Sequence, residues 1–201
     1  MSFRRIALFV LILIFFLQRS AFSDTLPPVM RAVPQDGYEV KEDKIYYRYG
    51  SCGIILEIGT DRAVANYYLD RGIQLGNPFR NTGGEYEGAT IFIVTFLNRS
   101  AGSIAFTPSY VTMKIKETAV FPMDFTVLVG LMGGQDPRIQ KVLEKSIFHS
   151  PETIRKGDVV TKLLVYPALP KKSSDLRLEF EYLYLENHET KPVFYFSRKK
   201  E

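Results

Sequence analysis

Two histidines and one cysteine are all that this 201-residue chain offers to imidazole or thiol chemistry. A nucleophile needs a base within hydrogen-bond reach, and that base needs a third group to orient it. His149 precedes Ser150, but adjacency in sequence does not present a base to a hydroxyl in that way. His188 lies near a turn with no Ser or Cys beside it. A hydrolase built on Ser150 or Cys52 is therefore not expected, and both histidines read as surface residues. Cys52 lies in Gly50-Ser51-Cys52-Gly53 with no basic residue immediately flanking it, so it reads as a buried or incidental thiol rather than a reactive one.

Metal chemistry needs ligands that converge. The soft set Met113, Met123, Met132, His149 and Cys52 raises an extracytoplasmic copper carrier as a rival function, yet its spacing matches no compact ligand motif and Met113 falls on an apolar strand stripe. Asp124 and Asp136 could enter an oxygen-ligand site, but Asp136 before Pro137 is better explained as a helix cap. Gly83-Gly84 and Gly133-Gly134 lack the Lys-Ser/Thr that completes a phosphate loop and read as turns. Glu179 and Glu181, beside Arg177, share a strand face and could suggest acid–base work on a glycan; solvated charges account for them. Tyr46, Tyr47 and Tyr49 cannot all face inward on a two-residue period, which keeps a carbohydrate-binding module in view although Trp is absent. Asn98-Arg99-Ser100 is formally a glycosylation sequon, and a turn role suffices for Asn98. No catalytic, cofactor or metal residue is assigned, and no binding residue.

The elements that must carry these residues are mostly strands. Ile45–Tyr49 and Ile54–Ile58 flank a glycine turn and predict a hairpin. Thr60 or Asp61 can cap a short helix that Gly72 ends. Gly76 to Gly88 has the turn chemistry of a surface loop. Thr90–Leu97 is apolar on both faces, as expected of a central sandwich strand, and Val111–Lys116 alternates with Val111, Met113 and Ile115 inward. Pro122 opens a possible helical turn through Asp124 to Leu131. A second helix is predicted from about Pro137 to Phe148, with Ile139, Val142, Leu143 and Ile147 on one face and Gln140, Lys141, Glu144 and Lys145 in solvent. Val159–Tyr166 returns to strand. Leu176, Leu178, Phe180, Tyr182 and Tyr184 form an alternating inward stripe, and Val193–Phe196 closes a terminal hairpin. Short strands with turn signals and no repeat predict a mainly β, antiparallel sandwich, with a helical insertion at about 122–151 and a short additional helix.

Arg4 and Arg5, the apolar run Ile6–Leu17 and the small residues Ala21 and Ser23 before Asp24 read as a secretory signal peptide cleaved after Ser23. The run is shorter than the roughly 20 residues that span a bilayer, so no stable membrane insertion is expected once the leader is gone. Its loss removes three of the chain's 26 basic residues and none of its 22 acids, leaving 23 against 22. The high sequence pI thus belongs largely to the leader, and nucleic acid is not an expected partner. The remaining 178 residues suit one domain at 38–201 behind an extended lead-in at 24–37, held by packing because a lone cysteine forms no internal disulfide.

From Ile91 to Phe196 the chain resembles small exported bacterial Ig-like domains, including families of unknown function. The resemblance rests on Phe92-Ile93-Val94-Thr95-Phe96-Leu97-Asn98-Arg99-Ser100, the step Phe106-Thr107-Pro108 into Val111-Thr112-Met113, and Lys156-Gly157-Asp158 before a strand ending in Tyr166-Pro167. It implies an Ig-like sandwich and a binding or structural role in the cell envelope, with another envelope protein or a surface polymer as partner, and no enzyme activity. The contact surface is expected on the Gly76–Gly88 loop and the 122–151 insertion rather than on the outward face carrying Arg177, Glu179 and Glu181.

Overall fold

A computed structural model describes residues 30–80, 88–132, 136–170 and 172–198. The leader and its cleavage site lie outside the described residues, as do residues 81–87 of the predicted loop. Among the described residues the chain is mainly β and its named strands pair antiparallel in three sheets.

The first sheet grows from local pairings. β2 (Tyr38–Lys41) and β3 (Lys44–Tyr49) form one hairpin, and β3 pairs with β4 (Cys52–Ile58) across Gly50 and Ser51. Gly50 has φ +53°, and a Cβ there would stand 2.7 Å from the Glu186 carboxylate, so both the turn and its neighbour call for glycine. β5 (Ala89–Asn98) and β10 (Val159–Pro167) complete the order β10-β5-β4-β3-β2. The second sheet runs β1 (Met30–Ala32), β14 (Val193–Arg198), β11 (Asp175–Phe180), β7 (Val111–Ile115), β8 (Thr118–Val120). The third is β13 (His188–Thr190), β12 (Leu183–Leu185), β6 (Ile104–Phe106), β9 (Glu152–Ile154).

One apolar core joins the three sheets in a sandwich-like arrangement. Ile54, Leu56, Phe92, Val94, Phe96 and Leu164 of the first sheet meet Met113, Leu178, Phe180 and Phe194 of the second and Phe106, Ile154 and Leu185 of the third. Phe96, Phe106, Phe148 and Phe180 form a ring cluster with centroids 4.7–6.5 Å apart, mostly edge to face. Tyr166 is buried there and donates its hydroxyl to the Val111 carbonyl at 3.0 Å.

β5 is apolar on both faces for a reason other than centrality within a sandwich. Its second face is covered by helices: Ile91, Ile93, Leu163 and Val165 pack against Val64, Tyr67 and Tyr68 of α1 (Asp61–Leu69), Leu128 of α2 (Phe125–Leu131), and Leu143 of α3 (Pro137–Ser146). A sheet face that loses its solvent loses the polar half of its alternation. The insertion is clamped at both ends to the edge strand β10, since Met123 N–H donates to Val165 O at 2.7 Å and Phe148 N–H to Leu163 O at 2.9 Å.

Two expectations change. The predicted stripe from Leu176 to Tyr184 breaks at Tyr182, whose φ of +49° adds a residue out of register. Leu183 and Leu185 therefore turn inward and join the third sheet, while Tyr182 and Tyr184 are exposed. β14 still pairs with β11, but the segment between them forms its own hairpin, β12–β13. The lead-in also enters the fold: Met30–Ala32 pairs with β14, and Met30 is buried.

Candidate functional site

The helical layer creates a cleft of about 460 Å³ where the end of α1, the length of α3 and the start of β10 meet. Gly59 sets the entry into α1. Its N–H donates to Ile91 O at 2.7 Å, and a Cβ would stand 2.7 Å from Ile91 Cβ, so the chain can leave β4 and turn onto the sheet only without a side chain there. Thr60 then caps α1, its hydroxyl accepting from Ala63 N–H at 3.1 Å. The helix closes through Ile73 N–H to Tyr68 O at 2.9 Å and Gly72 at φ +72°. α3 starts as its sequence predicts, with Asp136 accepting from Arg138 N–H at 2.8 Å and Pro137 in the first turn. Asp124 caps α2 in the same manner through Thr126 N–H at 2.8 Å.

A buried polar network joins these elements beneath the cleft. The Tyr67 hydroxyl reaches Ser146 O at 3.2 Å and Thr161 O at 3.3 Å, the Tyr68 hydroxyl lies 3.1 Å from Ser146 Oγ, and Ser146 Oγ donates to Leu143 O at 3.1 Å. Burial raises both phenols above their ordinary range; for Tyr67 the nearby Arg71 charge opposes this, and for Tyr68 the Ser146 hydrogen bond does. Arg71 stacks over the Tyr67 ring at 3.7 Å and donates to Tyr67 O at 2.8 Å and Thr161 O at 3.3 Å. That guanidinium is pinned by packing and backbone rather than by an acid.

The rim is basic. Arg71, Arg138, Lys141 and Lys145 border the cleft with Ile73 and Val142. Arg138 lies 3.5 Å from Asp136. Lys162 also borders it, but its ammonium pairs with Glu152 and lies 5.6 Å from the Phe148 ring. Among the described residues Arg71, Lys141 and Lys145 form no ion pair with a carboxylate. Lys145 gains from the helix C-terminal dipole, whereas Lys141 and Lys145 one turn apart repel each other by a few tenths of a kcal/mol.

A second cleft, of about 430 Å³, lies on the outer face of the second sheet between Lys114, Asp175, Arg177 and Tyr195. Two of its cations share one acid, while Lys116, which also lines it, has no ion pair among the described residues. Glu179 lies 2.6 Å from both Lys114 Nζ and Arg177 Nε. Glu181 stands past the end of β11 with its N–H on Tyr110 O at 2.9 Å, so the two glutamates form no facing pair.

The other sequence candidates are dispersed. His149 is exposed beside Phe125, with ring centroids 5.2 Å apart, and Ser150 is exposed after it; His188 is exposed 6.4 Å from the Tyr49 ring. Of the soft ligands, Cys52 and Met113 lie in the sandwich core, Met123 and Met132 pack under the helices, and His149 stands outside both. Among the described residues no three His, Cys, Asp or Glu side chains cluster as a metal site. The buried Cys52 thiol is 3.5 Å from Asn98 Oδ1. Asn98 is 1% exposed; its amide donates to Gly102 O and Ile154 O at 2.9 Å, and its oxygen accepts from Ser100 N–H and Oγ. It locks the β5 turn and presents no amide to a glycan. Tyr47 and Tyr49 pack on the core, and the exposed aromatic pair is instead Tyr110 and Tyr182, centroids 4.9 Å apart, where the chain crosses between the second and third sheets.

Comparison with known proteins adds little to this geometry. No family model and no curated protein matches the chain. Among solved structures it is similar to the yjhA protein from Bacillus subtilis, at 14% identity over 68% of this chain and 76% of that one, with a TM-score of 0.39. A likeness of that size carries no argument here. No helix among the described residues is long and apolar enough to cross a membrane.

Proposed function

We propose that the chain is an exported, non-enzymatic binding module of the bacterial cell envelope, an Ig-like sandwich that meets its partner through the helical layer. The observation that carries this reading is the cleft itself. It gathers Tyr67–Ile73, Arg138–Ser146 and Thr161–Lys162 around one opening, and three of its cations have no acid to answer them among the described residues. Solvated cations need no partner for stability, so what distinguishes these is that they are gathered on one rim, where their fields add. The leader-like start, Arg4 to Ser23, supports export, and the partner class is an envelope protein or a surface polymer.

The test is site-specific photo-crosslinking in producing cells, with the reactive group at Val142 or at Tyr195, and intact mass of the mature chain. Adducts from Val142 together with a mass beginning after Ser23 support the reading. Adducts from Tyr195 alone, or a chain still starting near Met1, overturn it.

A second reading has its own observation. Tyr110 and Tyr182, both about half exposed, form a paired aromatic surface of the kind that stacks on sugars. If this face binds glycans, Tyr182→Ala abolishes retention on a polysaccharide column while charge reversal in the cleft does not. The copper carrier remains a rival by proposal only, and stoichiometric Cu(I) uptake lost in His149→Ala is the result that would establish it.

A further inference from the structure

We propose that the cleft between α1, α3 and β10 binds an anionic polymer through repeated phosphate or carboxylate groups; this rests on the reading of the chain as a binding module. The charge is local, because basic and acidic residues nearly balance beyond the leader. Lys141 and Lys145 stand one turn apart on α3, a rise of about 6 Å, and Arg71 faces them from the end of α1. A single small anion would need donors that converge on one point. The floor offers none, since the Tyr67, Tyr68 and Ser146 hydroxyls are engaged with backbone carbonyls or with one another. What remains is a row of cations on a rigid rim, with Arg71 held in place by the Tyr67 ring and two carbonyls. Such a rim suits charges spaced along a strand. Ile73 and Val142 beside them shield the contact from water and strengthen each pairing.

The experiment measures affinity of the purified full-length chain for long-chain inorganic polyphosphate, for polyglutamate and for orthophosphate, with uncharged dextran as the blank. Polyphosphate or polyglutamate should bind, and the stronger of the two identifies the anion; orthophosphate and dextran should not bind measurably. Three phosphate contacts on a flexible strand predict an affinity loss of about 20-fold between 50 and 200 mM salt. Lys141→Glu with Lys145→Glu should lower affinity at least tenfold, whereas Lys116→Glu with Lys156→Glu, the same charge change at exposed turns elsewhere, should stay within twofold. Circular dichroism of both variants reports whether they fold; should the α3 variant not fold, Arg71→Gln replaces it, with a smaller loss of affinity and a salt dependence shallower by one contact expected. Equal loss in both pairs, or orthophosphate binding as tightly as the polymers, overturns the inference. Failure to bind any polymer while a Val142 crosslinker captures an envelope protein sinks this inference and leaves the binding-module reading standing.

Discussion

On the outer face of the second sheet, Glu179 sits 2.6 Å from both Lys114 and Arg177, and its side chain is only 15% exposed. In the cleft over the first sheet, Arg71, Lys141 and Lys145 have no carboxylate partner among the described residues. Both regions are grooved and both carry several cations, but the acid of the second sheet answers two of its three, Lys116 being unpaired, whereas three of the five on the first cleft lack a carboxylate partner among the described residues. The lesson concerns what charge does on a fold. A matched triad across neighbouring strands serves register and solubility, as cross-strand pairs generally do. Unmatched cations on a helix held by a buried hydrogen-bond network leave attraction available for something outside the chain.

Alkali should weaken the fold beneath both faces. Burial raises the phenols of Tyr68, under the cleft, and Tyr166, in the sandwich core. An unfolded chain releases such protons near pH 10 while the native one keeps them, so the native state binds more protons there. Stability is expected to be unaffected by these groups below that pH and to fall as pH rises through and beyond it. Chemical denaturation at a series of alkaline pH values should show the decline, with part of the phenolate absorbance delayed until unfolding; absorbance complete for all twelve tyrosines while the protein is still folded would contradict it. Leu143→Ala should come next. Its side chain is 1% exposed and anchors α3 to the sheet, so truncation should cost about 2–5 kcal/mol by urea unfolding and loosen the rim with it.

Gly59→Ala tests the other support, α1. The added methyl meets Ile91 at 2.7 Å and should cost about 1–3 kcal/mol, with hydrogen exchange rising in Asp61–Leu69 more than in β11. Glu179→Gln sharpens the contrast directly. Replacing a charged acceptor by a neutral one of the same shape should cost about 1 kcal/mol and free Lys114 and Arg177 beside Lys116, so that polyanion affinity at the second sheet should rise. Smallest is Lys141→Ala. It should change stability by no more than about 0.5 kcal/mol, and in the stabilising direction if relief of repulsion from Lys145 dominates.

Much of the frame was legible in the residues because it rests on local chemistry. Thr60, Asp136 and Pro137 announce helix starts through donors that need an acceptor or a residue without one, and the Gly50 turn announces its hairpin. Thr90–Leu97 carried a stronger message than a sandwich strand: apolar on both faces means covered on both, and the cover is the helices. The parity shift at Tyr182 was not legible, because a single left-handed residue is set by the crossing between sheets and Tyr carries no sign of it. The cleft was the least accessible. Arg71, Lys141 and Thr161 are remote in sequence and meet through tertiary packing, while the helical period places Lys141 and Lys145 in solvent. The one local hint was Arg138, Lys141 and Lys145 running along one edge of an amphipathic helix.

The most direct test is an amide-resolved NMR titration of the folded chain with polyphosphate at low salt. Shifts are expected to concentrate at Tyr67–Ile73, Arg138–Ser146 and Thr161–Lys162, to fade as salt is raised and to be absent in the Lys141→Glu, Lys145→Glu variant. Shifts confined to Lys114–Lys116 and Asp175–Arg177, or no shifts anywhere, would contradict that expectation.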